Sequence, residues 1–527
     1  MESLPKEQTL TLRNKHIGIV QKLWFKENPL KIVRAKGQYM YDERGAKYLD
    51  CINNVCHVGH SHPEVAKAGA DQMCVLNTNS RFLHDNLVMY ADKLTKTLPE
   101  KLSVVFMVNS GSEANDLALR LARKYTGNKD VVCLNHAYHG HLTELIDISP
   151  YKHNKPGMEG KKEWVHVVDP PDMYRGTHCN AQNPGEMFAS EIKKAIDDAH
   201  TKDRKICAFI SESLQSCGGQ LIYPPNYLKS SYKYAREAGA LCIADEVQVG
   251  FGRCGTEWWA FQHQDVIPDI VTMGKPMGNG HPVAAVITTE EIAAKFSEGG
   301  HEYFNTYGGN PVSCAIAMKV LDVIEKEKMR ENAIQVGDFL ITELKTMMNR
   351  YHLIGDVRGR GLFIGIEIVR NRSTKEPATG EAAYLVTSMR EKMVLISTEG
   401  PYGNILKFKP PMCFSMDDAR FLVEKLALCL KELEVLRVNT TNYEATMGNL
   451  VKPGHCLPYH GLTGAVSNME LMDFPDVSSG SSNGADVRQK RKRRSPNHSD
   501  EGFDEEIKKQ KIKVVVDEAE EDGAGVD

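Results

Sequence analysis

From about residue 100 to 290 the chain alternates short, largely apolar runs with longer stretches of helical periodicity, and few folds accept that alternation. The runs are VVFMV at 104 to 108, VVCL at 131 to 134, ICAFIS at 206 to 211, LCIAD at 241 to 245 and DIVTM at 269 to 273. A strand apolar throughout must be covered on both faces, as in a largely parallel sheet sandwiched between helices. One such helix is expected from 113 to 125, where Ala114, Leu117, Ala118, Leu121, Ala122 and Tyr125 recur at spacings of three and four after a Gly-Ser turn. After residue 315 helical patterns dominate, broken by LFIGIEIV at 362 to 369 and ILKFK at 405 to 409, which predicts a smaller α+β domain.

The predicted organisation is an N-terminal segment (1–75) packing with the small domain, a large domain (76–315), the small domain (316–438) and a charged tail (439–527). The tail is rich in Gly, Ser, Asn, Asp, Glu and Lys, the composition of a disordered segment. Six of the seven residues from Arg488 to Arg494 are basic, a run that reads as a nuclear signal, as a nucleic-acid patch or, more commonly, as solvated charge. The net charge of -4 gives no global attraction to nucleic acid. No run of about 18 apolar residues is present to span a bilayer. The N-terminus MESLPKEQTLTLRNK lacks the apolar core of a secretory signal, and Glu2 and Glu7 fit poorly with a transit peptide, so the cytosol is expected. Thirteen cysteines, an odd number without CxxC spacing, point to a reducing compartment and to no metal site.

Four segments carry the chemistry. Asp245 closes an apolar strand, and Lys275 follows another in the context MGKPMGNGHP, so both belong at the carboxyl ends of strands, where open α/β sheets bind ligands. A pyridoxal cofactor needs a lysine to bond its aldehyde and a carboxylate against its ring nitrogen. The segment NSGSEA at 109 to 114 lies between a strand and the expected helix, placing Gly111 and Ser112 at a helix N-terminus suited to a phosphate. Tyr138, in HAYHG at 136 to 140, is placed to stack on a ring, with Gly140 allowing close approach. Thr306, in FNTYGGNP at 304 to 311, offers a hydroxyl to a phosphate beside two glycines. Taken singly, each has an ordinary explanation: a solvated lysine, a capped turn, a packed aromatic, a Gly-Pro turn. The set is what points to a cofactor site.

As a set these residues resemble the class III aminotransferases, pyridoxal 5'-phosphate enzymes of fold type I, over about residues 8 to 437. The most specific stretches are IADEVQVGFGR at 243 to 253 and DIVTMGKPMGNGHP at 269 to 282. The resemblance implies an α/β fold with a mostly parallel central sheet, Lys275 as the Schiff-base lysine and Asp245 as the partner of the pyridinium. It further implies Gln248 near the ring hydroxyl, Gly111 and Ser112 at the phosphate, Tyr138 as the stacking aromatic and Thr306 contributed by the neighbouring subunit of a homodimer. Members of the family are commonly mitochondrial.

Within that family, CINNVCHVGHSHP at 51 to 63, LNTNSRFLHDN at 76 to 86, SPYK at 149 to 152 and LKFKPPMCF at 406 to 414 look like the phospho-lyase subgroup, also called alanine–glyoxylate aminotransferase 2-like. Its members act on O-phosphoethanolamine or 5-phosphohydroxy-L-lysine, and segments of this chain lean toward each. Many aminotransferases of the family place an arginine before the Pro-Pro element and pair it with a glutamate. Here those positions hold Lys407 and Cys217, with Ser213 after Glu212 where proline is usual. An ammonium does not grip a carboxylate as a guanidinium does. The sequence therefore leans toward elimination, with an amine:2-oxo-acid aminotransferase as the alternative and a catalytically silent binding protein as a third reading. Arg81, Lys407 and Lys409 are the candidates for the departing phosphate, each equally readable as a surface charge.

Overall fold

Burial on both faces is written into the strand composition, and the computed structural model bears it out. It describes residues 3–439 except 27 and 301, together with Tyr443 and Met447. These lie in the first of two units, Met1–Ser467, and the basic run Arg488–Arg494 lies outside the described residues. The large sheet has seven strands in the spatial order Val104–Val108, Ala284–Thr288, Ile270–Met273, Leu241–Asp245, Ile206–Glu212, Asp130–Leu134 and Val165–Val168. All run in one sense except Ala284–Thr288, which is antiparallel to both neighbours.

Successive residues of these strands feed two separate apolar clusters. Val131, Cys133, Ile243, Ile270 and Val286 pack in one with Leu117, Ala118 and Leu121 of the helix Gly111–Thr126. Val132, Leu134, Cys242, Ala244, Val271 and Ala285 pack in the other, with residues of the helices Pro184–His200 and Tyr227–Glu237. That alternation is the period-two geometry of a strand with a helical layer on each side. The helix expected at 113 to 125 begins two residues earlier, because the Ser110 hydroxyl accepts the N–H of Glu113 (3.1 Å) and caps it. Two strands of this sheet went unpredicted. Val165–Val168 has only four residues, and Ala284–Thr288 follows the Gly- and Pro-rich turn after Lys275, where the pattern reads as loop.

Two smaller sheets complete the described fold. Ile32–Lys36, Tyr39–Asp42 and Lys47–Asp50 form a meander whose last strand pairs in parallel with Val394–Leu395. Ile354–Arg360, Phe363–Asn371, Ile405–Phe408 and Ser397–Glu399 form an antiparallel sheet accompanied by the helices Met329–Arg350, Thr379–Glu391 and Met416–Asn439. One buried side chain ties these parts together. Arg253, wholly enclosed, donates to the carbonyls of Leu362 (3.2 Å) and Pro410 (2.8 Å) and lies 3.2 Å from His57 Nδ1. Burial pulls its guanidinium down to about 10. Arg253→Ala strands these acceptors in the interior, where an unpaired polar group costs about 1–3 kcal/mol. Its urea midpoint is expected to fall by the equivalent of about 3 kcal/mol.

Candidate active site

The parallel strands Leu241–Asp245 and Ile270–Met273 end side by side, and their carboxyl ends deliver Asp245 and Lys275 to one cavity of about 390 Å³. That volume suits a cofactor-sized molecule. Gly111, Ser112, Tyr138, Gln248 and His281 also line it.

Asp245 is 2% exposed, and three donors hold its carboxylate. Asn115 Nδ2 (2.8 Å) and His139 Nδ1 (2.8 Å) reach Oδ2, while the Val247 N–H reaches Oδ1 (3.1 Å). Asn115 is itself fixed, since its Oδ1 accepts the Thr272 hydroxyl (2.6 Å) and its Nδ2 also reaches the His139 carbonyl (2.8 Å). Neither Asn115 nor His139 was expected from the sequence. A signal existed for Asn115: it shares the helix face of Ala118 and Ala122, so a polar residue there is buried and needs partners.

Lys275 has φ +23°, an uncommon conformation for a side-chain-bearing residue, and opens a short 3₁₀ turn with Pro276. Among the described residues its amine makes no hydrogen bond, and burial lowers its proton affinity below the ordinary lysine value. Glu212, also buried, accepts the N–H of Ser216 (3.0 Å) and is pushed up to about 6 by burial and by the charge of Asp245.

At the opposite end of the cavity Gly111 and Ser112 occupy the first turn of the capped helix, where backbone N–H groups lack intrahelical acceptors. A side chain at Gly111 would sit 2.8 Å from Val247 Cγ1, so glycine is required for the close approach. Tyr138 meets Tyr151 edge to face at 5.8 Å, with the Lys152 ammonium 5.3 Å from the Tyr138 ring. Thr306 is exposed and does not line this cavity, although the adjacent Asn305 is bound by Asn109 Nδ2 (2.8 Å). Arg81 is likewise outside it, exposed, paired with Glu302 (2.9 Å) and stacked 4.1 Å from the Phe304 ring.

Two readings of the lysines change. Lys407 has a carboxylate partner after all: Glu399, on the adjacent strand Ser397–Glu399, lies 2.6 Å from its Nζ, with both side chains nearly buried. The ion pair that the sequence reading took as lost exists in another form, with Glu399 in place of a group at Cys217. Cys217 is a buried thiol pushed up to about 12 by burial. Lys409 is no surface charge either. It is 1% exposed, because the chain turns inward past the strand and the Lys409 N–H bonds the Cys51 carbonyl (2.9 Å).

This set fits pyridoxal phosphate on the chemistry of its donors. Lys275 would hold the aldehyde carbon, Asp245 the ring nitrogen, and the helix N-terminus at Gly111 and Ser112 the phosphate. Asn115→Asp would set a second carboxylate against Asp245 Oδ2, and two such groups cannot both stay ionised at that distance. It is expected to weaken pyridoxal phosphate binding about tenfold or more, measured by cofactor titration of the apoprotein; unchanged affinity would refute the role given to Asp245.

Comparison with known proteins places this geometry. The family model for "Aminotransferase class-III" matches residues 22–430. The chain is 54% identical over 423 residues to the Drosophila melanogaster protein named alanine–glyoxylate aminotransferase 2-like, covering 79% of this chain and 86% of that one. It is 44% identical to ethanolamine-phosphate phospho-lyase homolog 1 of Caenorhabditis elegans, covering 78% and 90% respectively. Among solved structures, a phospholyase from Arthrobacter in complex with phosphoethanolamine superposes with a TM-score of 0.77 at 38% identity, over 80% of this chain and 99% of that one. The chain belongs to the class III aminotransferase family of pyridoxal-phosphate-dependent enzymes.

Proposed function

We propose that this enzyme is a lyase that eliminates phosphate from a phosphorylated amino alcohol, O-phosphoethanolamine or 5-phosphohydroxy-L-lysine, rather than a transaminase. The observation that carries the reading is the Lys407–Glu399 pair. A transaminase for amino and oxo acids needs a planar guanidinium to grip the substrate carboxylate in two-point fashion, and the cation of this pair is instead the ammonium of Lys407, a point charge that offers no such grip. A relative named as a phospho-lyase homolog and a solved phospholyase in complex with phosphoethanolamine support the same reading.

Pyridoxal phosphate, when bound, supplies an electron sink for the pair left behind as the carbon bearing the amine loses its proton. Lys275 takes that proton; its desolvated amine is a competent base nearer neutrality than an exposed lysine. Asp245, fixed by three donors, would hold the ring nitrogen of the bound cofactor. Phosphate departs from the adjacent carbon with the bonding electrons. The enamine that is released is hydrolysed by water, so the products are an aldehyde or semialdehyde, ammonia and inorganic phosphate, and no oxo-acid is consumed.

The reading includes a homodimer with shared sites. Arg81 and Thr306, both outside their own cavity, are flanked by Phe82 (69% exposed), Leu83 (fully exposed) and Tyr307 (69% exposed), an apolar surface that a second subunit would cover. Leu83→Asp is expected to shift the protein toward monomer in light scattering and to lower activity with it; an unchanged dimer would exclude this face.

Incubation with each phosphorylated amine in the absence of oxo-acid is expected to release inorganic phosphate and ammonia in equal amounts. The rate should rise with pH as Lys275 loses its proton and level off below the ordinary lysine value. Absence of phosphate from either substrate, with oxo-acid-dependent amine transfer instead, would overturn the proposal.

A further inference from the structure

Lys409 is the one lysine the structure moves from surface to interior against expectation, and its surroundings give it work. Its Nζ lies 2.6 Å from Gln248 Oε1 and 2.9 Å from Ser216 Oγ, and the Ser216 hydroxyl itself donates to Gln220 Oε1 (3.0 Å). Among the described residues it has no carboxylate partner within ion-pair distance. A lysine amine has at least two N–H donors whether or not it is protonated, one for each of these oxygens.

The amide of Gln248 is fixed by that contact. The oxygen and nitrogen of a glutamine amide are told apart by their partners. The atom facing Lys409 is the acceptor, and Asn54 Nδ2 donates to the same oxygen at 2.5 Å. Both lone pairs of Gln248 Oε1 are thereby used. Its Nε2 takes no acceptor among the described residues and is not buried, while the side chain lines the cofactor cavity beside Asp245 and Lys275.

We infer that Lys409 is a positioning residue: with Asn54 it locks the Gln248 amide so that its N–H groups face the cavity as donors to an acceptor atom of the bound cofactor. Lys409 does not touch the cofactor cavity itself; it acts through Gln248. The arrangement needs an N–H donor in a buried slot and does not need the positive charge. It rests on the cofactor alone and holds equally for a lyase or a transaminase.

The test uses the holoenzyme and pyridoxal 5'-phosphate. Gln248→Glu keeps an acceptor toward Lys409 and Asn54 but offers no N–H to the cavity, and Lys409→Met removes the donor while keeping the length. Each is expected to weaken pyridoxal phosphate about tenfold, the scale of one lost hydrogen bond to a polar group. Each should also shift the pH midpoint of the visible absorbance band in the same direction. In the double variant the loss is expected to match that of either single variant, as for residues acting through one contact. Losses that multiply, or a Lys409→Met holoenzyme with wild-type affinity and spectrum, would overturn the inference. Should Lys409→Met yield no folded protein, Lys409→Gln decides, because it keeps an uncharged donor. Wild-type spectrum and affinity to within about twofold support the positioning role, and a shift as large as that of Gln248→Glu refutes it.

Discussion

The buried carboxylate of Asp245 is the constraint on which the rest of the site depends. An ionised group enclosed to this degree is tolerated only when donors replace the water it has lost. Here they come from three separate places: the helix Gly111–Thr126 through Asn115, the loop after Asp130–Leu134 through His139, and the turn after its own strand through the Val247 N–H. Thr272, three residues before Lys275, orients Asn115 in turn. The lysine strand, the carboxylate strand and the helix Gly111–Thr126 are thus joined by one hydrogen-bonded chain, and none of them shifts without disturbing the others.

Several cationic groups lie behind this cavity. Burial, with a smaller contribution from Lys407, lowers the proton affinity of Lys275; burial, with Lys407, Lys275 and Arg253, lowers that of Lys409 more strongly. Glu399 answers Lys407, whereas among the described residues the hydrogen-bond partners of the Lys409 amine are neutral oxygens. The result, among the described residues, is one lysine buried without a hydrogen bond, one ion-paired and one donating to neutral oxygens. Three residues of like type acquire different chemistry from their neighbours.

Much of this was legible beforehand. Continuous apolar runs dictated strands covered on both faces, and the expected runs at 104–108 and 241–245 coincide with observed strands. The position of Asp245 and Lys275 at strand ends followed from that topology alone. Asn115 and His139 were hidden because a supporting hydrogen bond joins residues 106 to 130 positions apart and leaves no local pattern. Lys409 was misjudged for a related reason: alternation along a strand puts Lys407 and Lys409 on one face, but it cannot reveal that the chain turns inward beneath Cys51 one residue later.

The sequence by itself determined the sheet, the capped turn at Gly111 and Ser112 and the place of Asp245 and Lys275 at the ends of neighbouring strands, because each is set by local periodicity or by the topology of parallel sheets. Tertiary structure alone decided what the remaining charges do. Glu399 reaches Lys407 only through strand pairing, and Lys409 reaches Gln248 only because segments 161 residues apart are packed together. A charge takes its role from the partners within a few ångströms of it, and those partners are chosen by the fold.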